Sequence, residues 1–365
     1  MLTMTQENLT VNKSLKVSKK EILDDFLLMN VSRNISYIGR KEVFMGRAKF
    51  GVFGDGKELP QIAMSKFFRN GDFRSGYYRD QTFMMSINQL TPDQFFAQLY
   101  AHTDIKKDPH SGGRQMNCHF GTRLLNKNGD WKTQTDMMNS VSDISCVSGQ
   151  MPRIVGLAYA SKLYRNNKNL SDMENFSING NEVVFGTIGD ASTSEGHFWE
   201  AINACGVLQV PLIMSIWDDG YGISVPSEYH TTRNDLSKAL SGFQRSSKKE
   251  NGYEIFTVHA WDYINLLKTY QKAEKLARED HVPCIIHVKD VTQPQGHTTS
   301  GSHERYKSKE RLNWEKDFCC IKRMREWIIE NNFASNSEID IIEKNAEEIA
   351  KKSRDRSWKS YIGMI

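Results

Sequence analysis

The sequence predicts an α/β fold: a doubly wound, mostly parallel sheet with helices on both faces and a helical C-terminal extension. Three observations predict it. Residues 182–217 read as one strand–helix–strand unit. Strands and helices keep alternating up to residue 288. From Trp314 onward, apolar residues recur at helical spacing among many charges.

The central unit comes first. Glu182 to Ile188 is a short apolar run rich in β-branched residues, as a buried strand is. Gly189-Asp190-Ala191 follows where that strand should end. Ser192, Thr193 and Ser194 offer N-cap hydroxyls, and Phe198, Ala201, Ile202, Cys205 and Leu208 recur at helical spacing. Pro211 ends the helix, Leu212 to Trp217 is a second buried strand, and Asp218-Asp219-Gly220-Tyr221-Gly222 sits at its carboxyl end. A crossover of this length implies parallel pairing and a right-handed connection. Parallel sheets bind ligands beyond the carboxyl ends of their strands. Asp190 and Asp219 each stand just past such an end. Two oxygen ligands beside a helix N-terminus suit Mg²⁺ holding a phosphorylated ligand. Each feature alone is equally a turn or a loop.

The other elements follow in order. Residues 1–19 are polar and read as a mobile tail, with one domain over 20–353 and a tail or linker over 354–365. Glu21 to Val31 is an amphipathic helix, and Arg33 to Lys41 a surface connection. Gly54-Asp55-Gly56 is a turn without the Lys-Ser/Thr of a phosphate loop, and Glu58 to Phe68 is helical. Residues 71–82 alternate aromatics and arginines and read as a loop. Thr91-Pro92-Asp93-Gln94 starts a helix. Residues 111–121 are a glycine-bracketed basic loop, Gln150 to Tyr164 a helix, and 166–180 a polar connection. Residues 226–251 form a surface excursion, ordered against a partner. Glu254 to His259, Trp261 to Arg278 and Val282 to Val288 are strand, helix and strand. The loop 293–302, carrying His297, again follows a strand end, and two amphipathic helices close the chain.

Composition narrows the class. At 365 residues with 39% hydrophobic and 25% charged content, the chain is long enough for a sizeable core. A net charge of +4 argues against a dedicated nucleic-acid binder. The six cysteines are scattered without a CxxC pair, which fits a reducing, cytoplasmic location and neither a disulfide framework nor a zinc site. No apolar run reaches the length of a membrane span, so no membrane partner is expected. No GxGxxG opens a helix, which argues against a NAD-binding domain.

With the residues laid out, a resemblance is visible. The stretch from Gly189-Asp190-Ala191 to Asp218-Asp219 resembles the thiamine diphosphate signature, which runs from Gly-Asp-Gly to Asn-Asn. More narrowly, it is similar to the α subunits of 2-oxo acid dehydrogenase complexes. Ser194-Glu195-Gly196, Glu200-Ala201, Asn203 and Gly220-Tyr221-Gly222-Ile223-Ser224 keep their pattern. Ala191 replaces the third glycine and Asp218-Asp219 replaces Asn-Asn. Tyr78-Arg79 matches a Tyr-Arg pair that reaches the diphosphate. Gly113-Arg114-Gln115-Met116, with His119-Phe120-Gly121, resembles a stretch of the branched-chain members, Asn117 and Cys118 standing for Pro-Val. Ser145, Val147, Gln150 and Pro152 match a segment that cradles the thiamine, with Cys146 in place of a proline. Gly296-His297, followed by a hydroxyl residue, matches the active-site loop. Thr298 stands where some relatives carry a phosphorylated serine, but the residues around it differ and no such control is inferred. The resemblance covers residues 20–353.

This resemblance implies a thiamine diphosphate-binding fold and oxidative decarboxylation of a small 2-oxo acid, branched-chain first and pyruvate next. The acyl group would pass to a lipoyl group on an acyltransferase core. It implies thiamine diphosphate and Mg²⁺ as cofactors, with Asp190, Asp219 and the Tyr221 carbonyl as Mg²⁺ ligands. It places Tyr78, Arg79, Gly189 and Ala191 at the diphosphate side, Val147 under the thiamine, Ser145 at the substrate, and His297 as catalytic histidine. It implies a β subunit, or a second half, that supplies the pyrimidine-binding domain in an α₂β₂ assembly. Asp219, and Trp217 where some relatives have an arginine, leave a surplus of negative charge, and Arg79, Arg114 and His297 are expected to converge on it. A transketolase- or acetoin-type enzyme and a non-catalytic scaffold that has lost the cofactor remain as alternatives.

Overall fold

The computed structural model describes residues 3–4, 8–12 and 14–364. Six parallel strands form one sheet, in the order Glu254–His259, Cys284–Lys289, Leu212–Trp217, Val184–Gly189, Phe73–Ser75, Asn139–Ser140. From the Phe73–Ser75 strand the chain builds first to one side (Asn139–Ser140) and then to the other (Val184–Gly189). That reversal is a topological switch point, and it places the expected ligand crevice between the carboxyl ends of Phe73–Ser75 and Val184–Gly189.

Alternating side chains of the central strands feed two cores. Val184, Ile188, Leu212, Met214 and Ile216 face one core, with Met151, Ile154 and Ala158 of the helix Met151–Asn166 and Phe198, Ile202 and Cys205 of the helix Gly196–Leu208. Phe185, Ile213, Trp217, Ile286 and Val288 face the other, with the helices Lys19–Phe44, Glu58–Ser65, Pro92–Leu99 and Tyr263–Asp280. Period-two alternation into two apolar layers is what a doubly wound sheet requires.

Several elements differ from the sequence expectation. Residues 8–12 and 14–18 are not a mobile tail: Asn8–Asn12 and Leu15–Ser18 pair antiparallel, and Leu9, Val11 and Val17 are buried in the core. Residues 1–2, 5–7 and 13 of the expected tail lie outside the described residues. The first helix runs from Lys19 to Phe44, started by a Ser18–Glu21 capping box, and absorbs the supposed surface connection. Its polar Arg33 is buried, because its guanidinium makes a two-pronged ion pair with Glu58 at 2.7 and 2.8 Å. The strand Phe73–Ser75 replaces expected loop, and Asn139–Ser140 is a strand where no element was expected. Ser192 to Ser194 do not cap the helix Gly196–Leu208. Ala191–Ser194 forms a 3₁₀ turn, and Glu195 takes the cap position without a side-chain bond. That helix ends at Gln209 in the left-handed conformation (φ 48°), before Pro211. The 226–251 segment carries the short helix Leu236–Ala239, and Leu236 and Leu240 are buried in the core. Three helices, not two, close the chain: Lys309–Asp317, Cys320–Glu330 and Asn336–Ile362. The last runs on into the expected 354–365 tail as far as Ile362, and there Arg354 meets Glu42 at 2.9 Å and Trp358 packs on Tyr100.

One consequence of the packing is pH dependence. His281, left-handed at the end of the helix Tyr263–Asp280, has Nε2 2.8 Å from the Gly180 carbonyl oxygen. Burial, aided by Arg165, pushes its imidazole down to about 4. The unfolded chain therefore binds a proton that the folded chain refuses. Stability should fall as pH drops from about 6.5 toward 4. Calorimetric melting across that window checks this, and His281→Asn, which tolerates the left-handed backbone, should flatten the profile.

Candidate functional site

A cavity of about 280 Å³ opens at the switch point. Tyr77, Tyr78 and Arg79 enter it from the turn after Phe73–Ser75. Gly189, Asp190, Ala191 and Ser192 enter after Val184–Gly189, and Trp217, Asp219, Tyr221, Gly222 and Ile223 at the end of Leu212–Trp217. Val147 and His297 complete the wall. All the sequence-derived site residues line this cavity except Ser145. Its hydroxyl lies 3.0 Å from His119 Nε2.

The turn bearing Tyr77–Arg79 is held from beneath by a buried charge network. Arg74, fully buried, donates from Nε to Asp80 Oδ2 at 2.8 Å and from both terminal nitrogens to Asp143 at 3.0 Å. A further bond runs from Arg74 to the Tyr77 carbonyl at 2.9 Å. Asp143 also accepts from the Phe120 backbone at 3.0 Å, which ties in the 111–121 stretch. Gly76 must be glycine, since a Cβ there would meet Asp80 Oδ2 at 2.0 Å. Trp217 points its indole N–H at Asp80 Oδ1, 3.4 Å away.

Asp190 is 3% exposed, and its Oδ2 has no hydrogen-bond partner. Burial first, then the charges of Asp219 and Asp218, push its carboxyl well above the usual range. An orphaned buried carboxylate oxygen facing a second carboxylate is satisfied by a cation. Asp219 behaves oppositely. Burial works against its charge, but Lys57, Lys307 and Arg79 outweigh burial and hold the carboxylate below its ordinary range. Its Oδ1 accepts from the Tyr221 N–H at 3.2 Å. No group of three or more His, Cys, Asp or Glu side chains among the described residues forms a metal cage. The donor set of two carboxylates, completed by backbone and ligand oxygens, is one that Mg²⁺ commonly takes together with phosphate.

Arg79 donates to the Phe53 carbonyl at 2.7 Å and to the His297 carbonyl at 3.0 Å, with Nη2 also 2.9 Å from His297 Nδ1. Guanidinium has donors only, so Nδ1 is the acceptor and a neutral His297 carries its proton on Nε2. Burial, then Arg79, push this imidazole down to about 4. Ala191, the departure from glycine, is accommodated by Gly222, where a Cβ would come within 2.7 Å of the alanine Cβ.

The expected convergence on the surplus charge is met in part. Arg79 and His297 share the cavity, but Arg114 lines a separate one of about 420 Å³ with His110 and His119. The reason is connectivity: Asp143 fixes the 111–121 stretch on the far side of Arg74. Two cations the sequence reading missed take its place. Lys57 Nζ lies 3.3 Å from Asp219 Oδ2, and Lys307 sits over the Tyr221 ring at 5.0 Å. Neither carries a local motif that could have revealed it. Arg311 adds a bond of 2.6 Å to the Asp219 carbonyl. No helix among the described residues is long and apolar enough to cross a membrane.

Comparison with known proteins agrees with this geometry. The family model "Dehydrogenase E1 component" matches residues 28–360. The 2-oxoisovalerate dehydrogenase subunit alpha of Macaca fascicularis is 24% identical over 337 residues, covering 92% of this chain and 64% of the relative. The Bacillus subtilis 2-oxoisovalerate dehydrogenase subunit alpha is 26% identical over 276 residues, 75% of this chain and 72% of that one. The pyruvate dehydrogenase E1 component subunit alpha of Rickettsia bellii is 27% identical over 215 residues, 59% and 58% of the two. The match spans about six-tenths of the length of the mitochondrial mammalian relatives. Proteins of the matched family use thiamine diphosphate and Mg²⁺. The match runs through every strand of the sheet and every side of the cavity, and the chain belongs to the dehydrogenase E1 component family.

Proposed function

We propose that this chain is the α subunit of the decarboxylating component of a 2-oxo acid dehydrogenase complex, holding Mg²⁺ and the diphosphate end of thiamine diphosphate. The observation that carries this reading is Asp190: a buried carboxylate with a partnerless oxygen, facing Asp219, in a cavity that also holds Arg79 and His297. A scaffold that had lost its cofactor would have no reason to keep that unpartnered carboxyl oxygen buried.

Asp190, Asp219 and the Tyr221 carbonyl hold the cation in this reading. Tyr78 and Arg79 face the diphosphate, and the arginine's planar fork suits phosphate oxygens. Bound thiamine diphosphate supplies the electron sink that lets a 2-oxo acid lose CO₂. The protein's part is to bind, orient and stabilise charge. His297, neutral at neutral pH and held by Arg79 with its proton on Nε2, donates a hydrogen bond toward charge developing on the substrate. Ser145 bonds His119 outside the cavity lining, and only the resemblance supports a place for it on the substrate side. Val147 and Ile223 line the cavity yet are 57% and 62% exposed, which supports a covering surface from a β subunit in an α₂β₂ assembly. A branched-chain 2-oxo acid is the substrate we favour. The 113–116 stretch and the 2-oxoisovalerate in the names of the macaque and Bacillus relatives support it.

The test is reconstitution. The full chain alone should decarboxylate no 2-oxo acid. With a β subunit, thiamine diphosphate, Mg²⁺ and a lipoylated acceptor domain it should turn over 2-oxoisovalerate faster than pyruvate. In that complex His297→Ala should lower kcat by about 100-fold or more. Turnover by the chain alone, or turnover indifferent to the lipoyl acceptor, would contradict this assignment, the latter in favour of a transketolase-type reaction.

A further inference from the structure

Lys57 is a lysine buried away from the surface. It lies between the Gly54-Asp55-Gly56 turn and the helix Glu58–Ser65, and its side chain is 1% exposed. Its ammonium reaches three acceptors: Gln293 Oε1 at 2.5 Å, the Thr292 carbonyl at 3.3 Å, and Asp219 Oδ2 at 3.3 Å. The backbone that delivers it has little freedom. Gly56 sits at φ 92°, and a Cβ there would come within 1.8 Å of the Thr292 carbonyl oxygen. Lys57 does not line the cavity; it meets Asp219 from behind. The other cations around Asp219 have stronger claims on them. Lys307 donates to Glu315 at 2.6 Å, Arg311 to Glu315 and to a backbone carbonyl, and Arg79 to His297 and Phe53.

We propose that Lys57 is a positioning residue of the cation site, which ties down one oxygen of Asp219 and makes divalent-cation binding depend on the diphosphate. This rests on the reading of the cavity as a cation–diphosphate site. With Asp219 shared with a fixed ammonium, the carboxylate charge left for a bare cation is chiefly that of Asp190. A second positive charge beside that ammonium is unfavourable until an anionic diphosphate enters with it. Lys57 thus weakens the site for a free cation and strengthens it for the cation–diphosphate pair. A merely structural lysine would not act with opposite sign on the two.

The experiment uses the full chain with Lys57→Met, Asp219→Asn and the double variant. Mn²⁺ binding is read by electron paramagnetic resonance without cofactor. Thiamine diphosphate binding in saturating Mg²⁺ is read by calorimetry on the chain paired with a β subunit, and melting of the chain is read without ligands. Lys57→Met should tighten free Mn²⁺ binding about tenfold and weaken thiamine diphosphate binding by a similar factor. Each single variant strands a buried charge, so the double variant should melt well above the temperature expected from adding the two single shifts. Additive melting shifts, or free Mn²⁺ binding unchanged or weakened in Lys57→Met, would overturn the proposal. Should Lys57→Met fail to fold, recovery of a folded chain on adding Asp219→Asn supports the pair, and failure to recover overturns it. A wild-type chain that, correctly assembled with a β subunit, binds neither Mn²⁺ nor thiamine diphosphate would instead refute the reading of the site itself.

Discussion

Replacing Asp190 by alanine should abolish Mg²⁺-dependent binding of thiamine diphosphate while raising the melting temperature of the ligand-free chain. The two effects share one cause. Asp190 is buried, one of its oxygens has no partner, and Asp218 and Asp219 repel its charge. A buried polar group left unpaired costs about 1–3 kcal/mol, so its removal relieves the empty protein. Loss of supporting residues around a metal commonly costs 10- to 100-fold in affinity, so loss of a direct carboxylate ligand should exceed about 100-fold. Calorimetric titration and thermal melting of the variant check both halves. Wild-type cofactor affinity would remove Asp190 from the ligand set. A lower melting temperature would mean that its carboxylate is held by partners.

The second large effect lies beneath the site. Arg74→Met should come close to unfolding the chain. Arg74 alone stands between Asp80 and Asp143 in a fully buried cluster, and the methionine would leave both carboxylates without a counter-charge. Breaking a buried ion pair from one side costs about 3–5 kcal/mol. That is a large share of the roughly 5–15 kcal/mol by which domains are stable. The Tyr77–Arg79 turn would loosen with it, since Arg74 also holds the Tyr77 carbonyl. Urea unfolding measures the loss. A shift under about 1 kcal/mol would show that the network does not carry the turn.

The parts of this fold that sequence reasoning found are those whose causes lie close together in the chain. The strand ending at Gly189, the aspartate after it and the helix that follows are adjacent residues obeying local rules. The capping box at Thr91 was legible for the same reason. What was missed depends on distant partners. Phe73–Ser75 is a three-residue strand with a charge at its centre, and Arg74 is buried because Asp80 and Asp143, the latter 69 residues away, both pair with it. Asn139–Ser140 becomes a strand only by pairing with it. Lys57 finds Asp219 at a separation of 162 residues and Gln293 at 236, and no periodicity announces either. Arg33 looked solvent-facing because Glu58 lies 25 residues on. The C-terminal helix did leave a signal: Trp358 and Tyr361 share a helical face, and both pack with Tyr100. Among the candidate site residues, Ser145 alone was drawn away from the cavity lining, by His119.

The most direct test of the account is calorimetric titration of thiamine diphosphate into the full chain paired with a β subunit, with and without Mg²⁺. Saturable binding that disappears when Mg²⁺ is chelated, and that Asp190→Ala abolishes, is the predicted result. Binding indifferent to Mg²⁺, or no binding by a folded and correctly assembled complex, would contradict it.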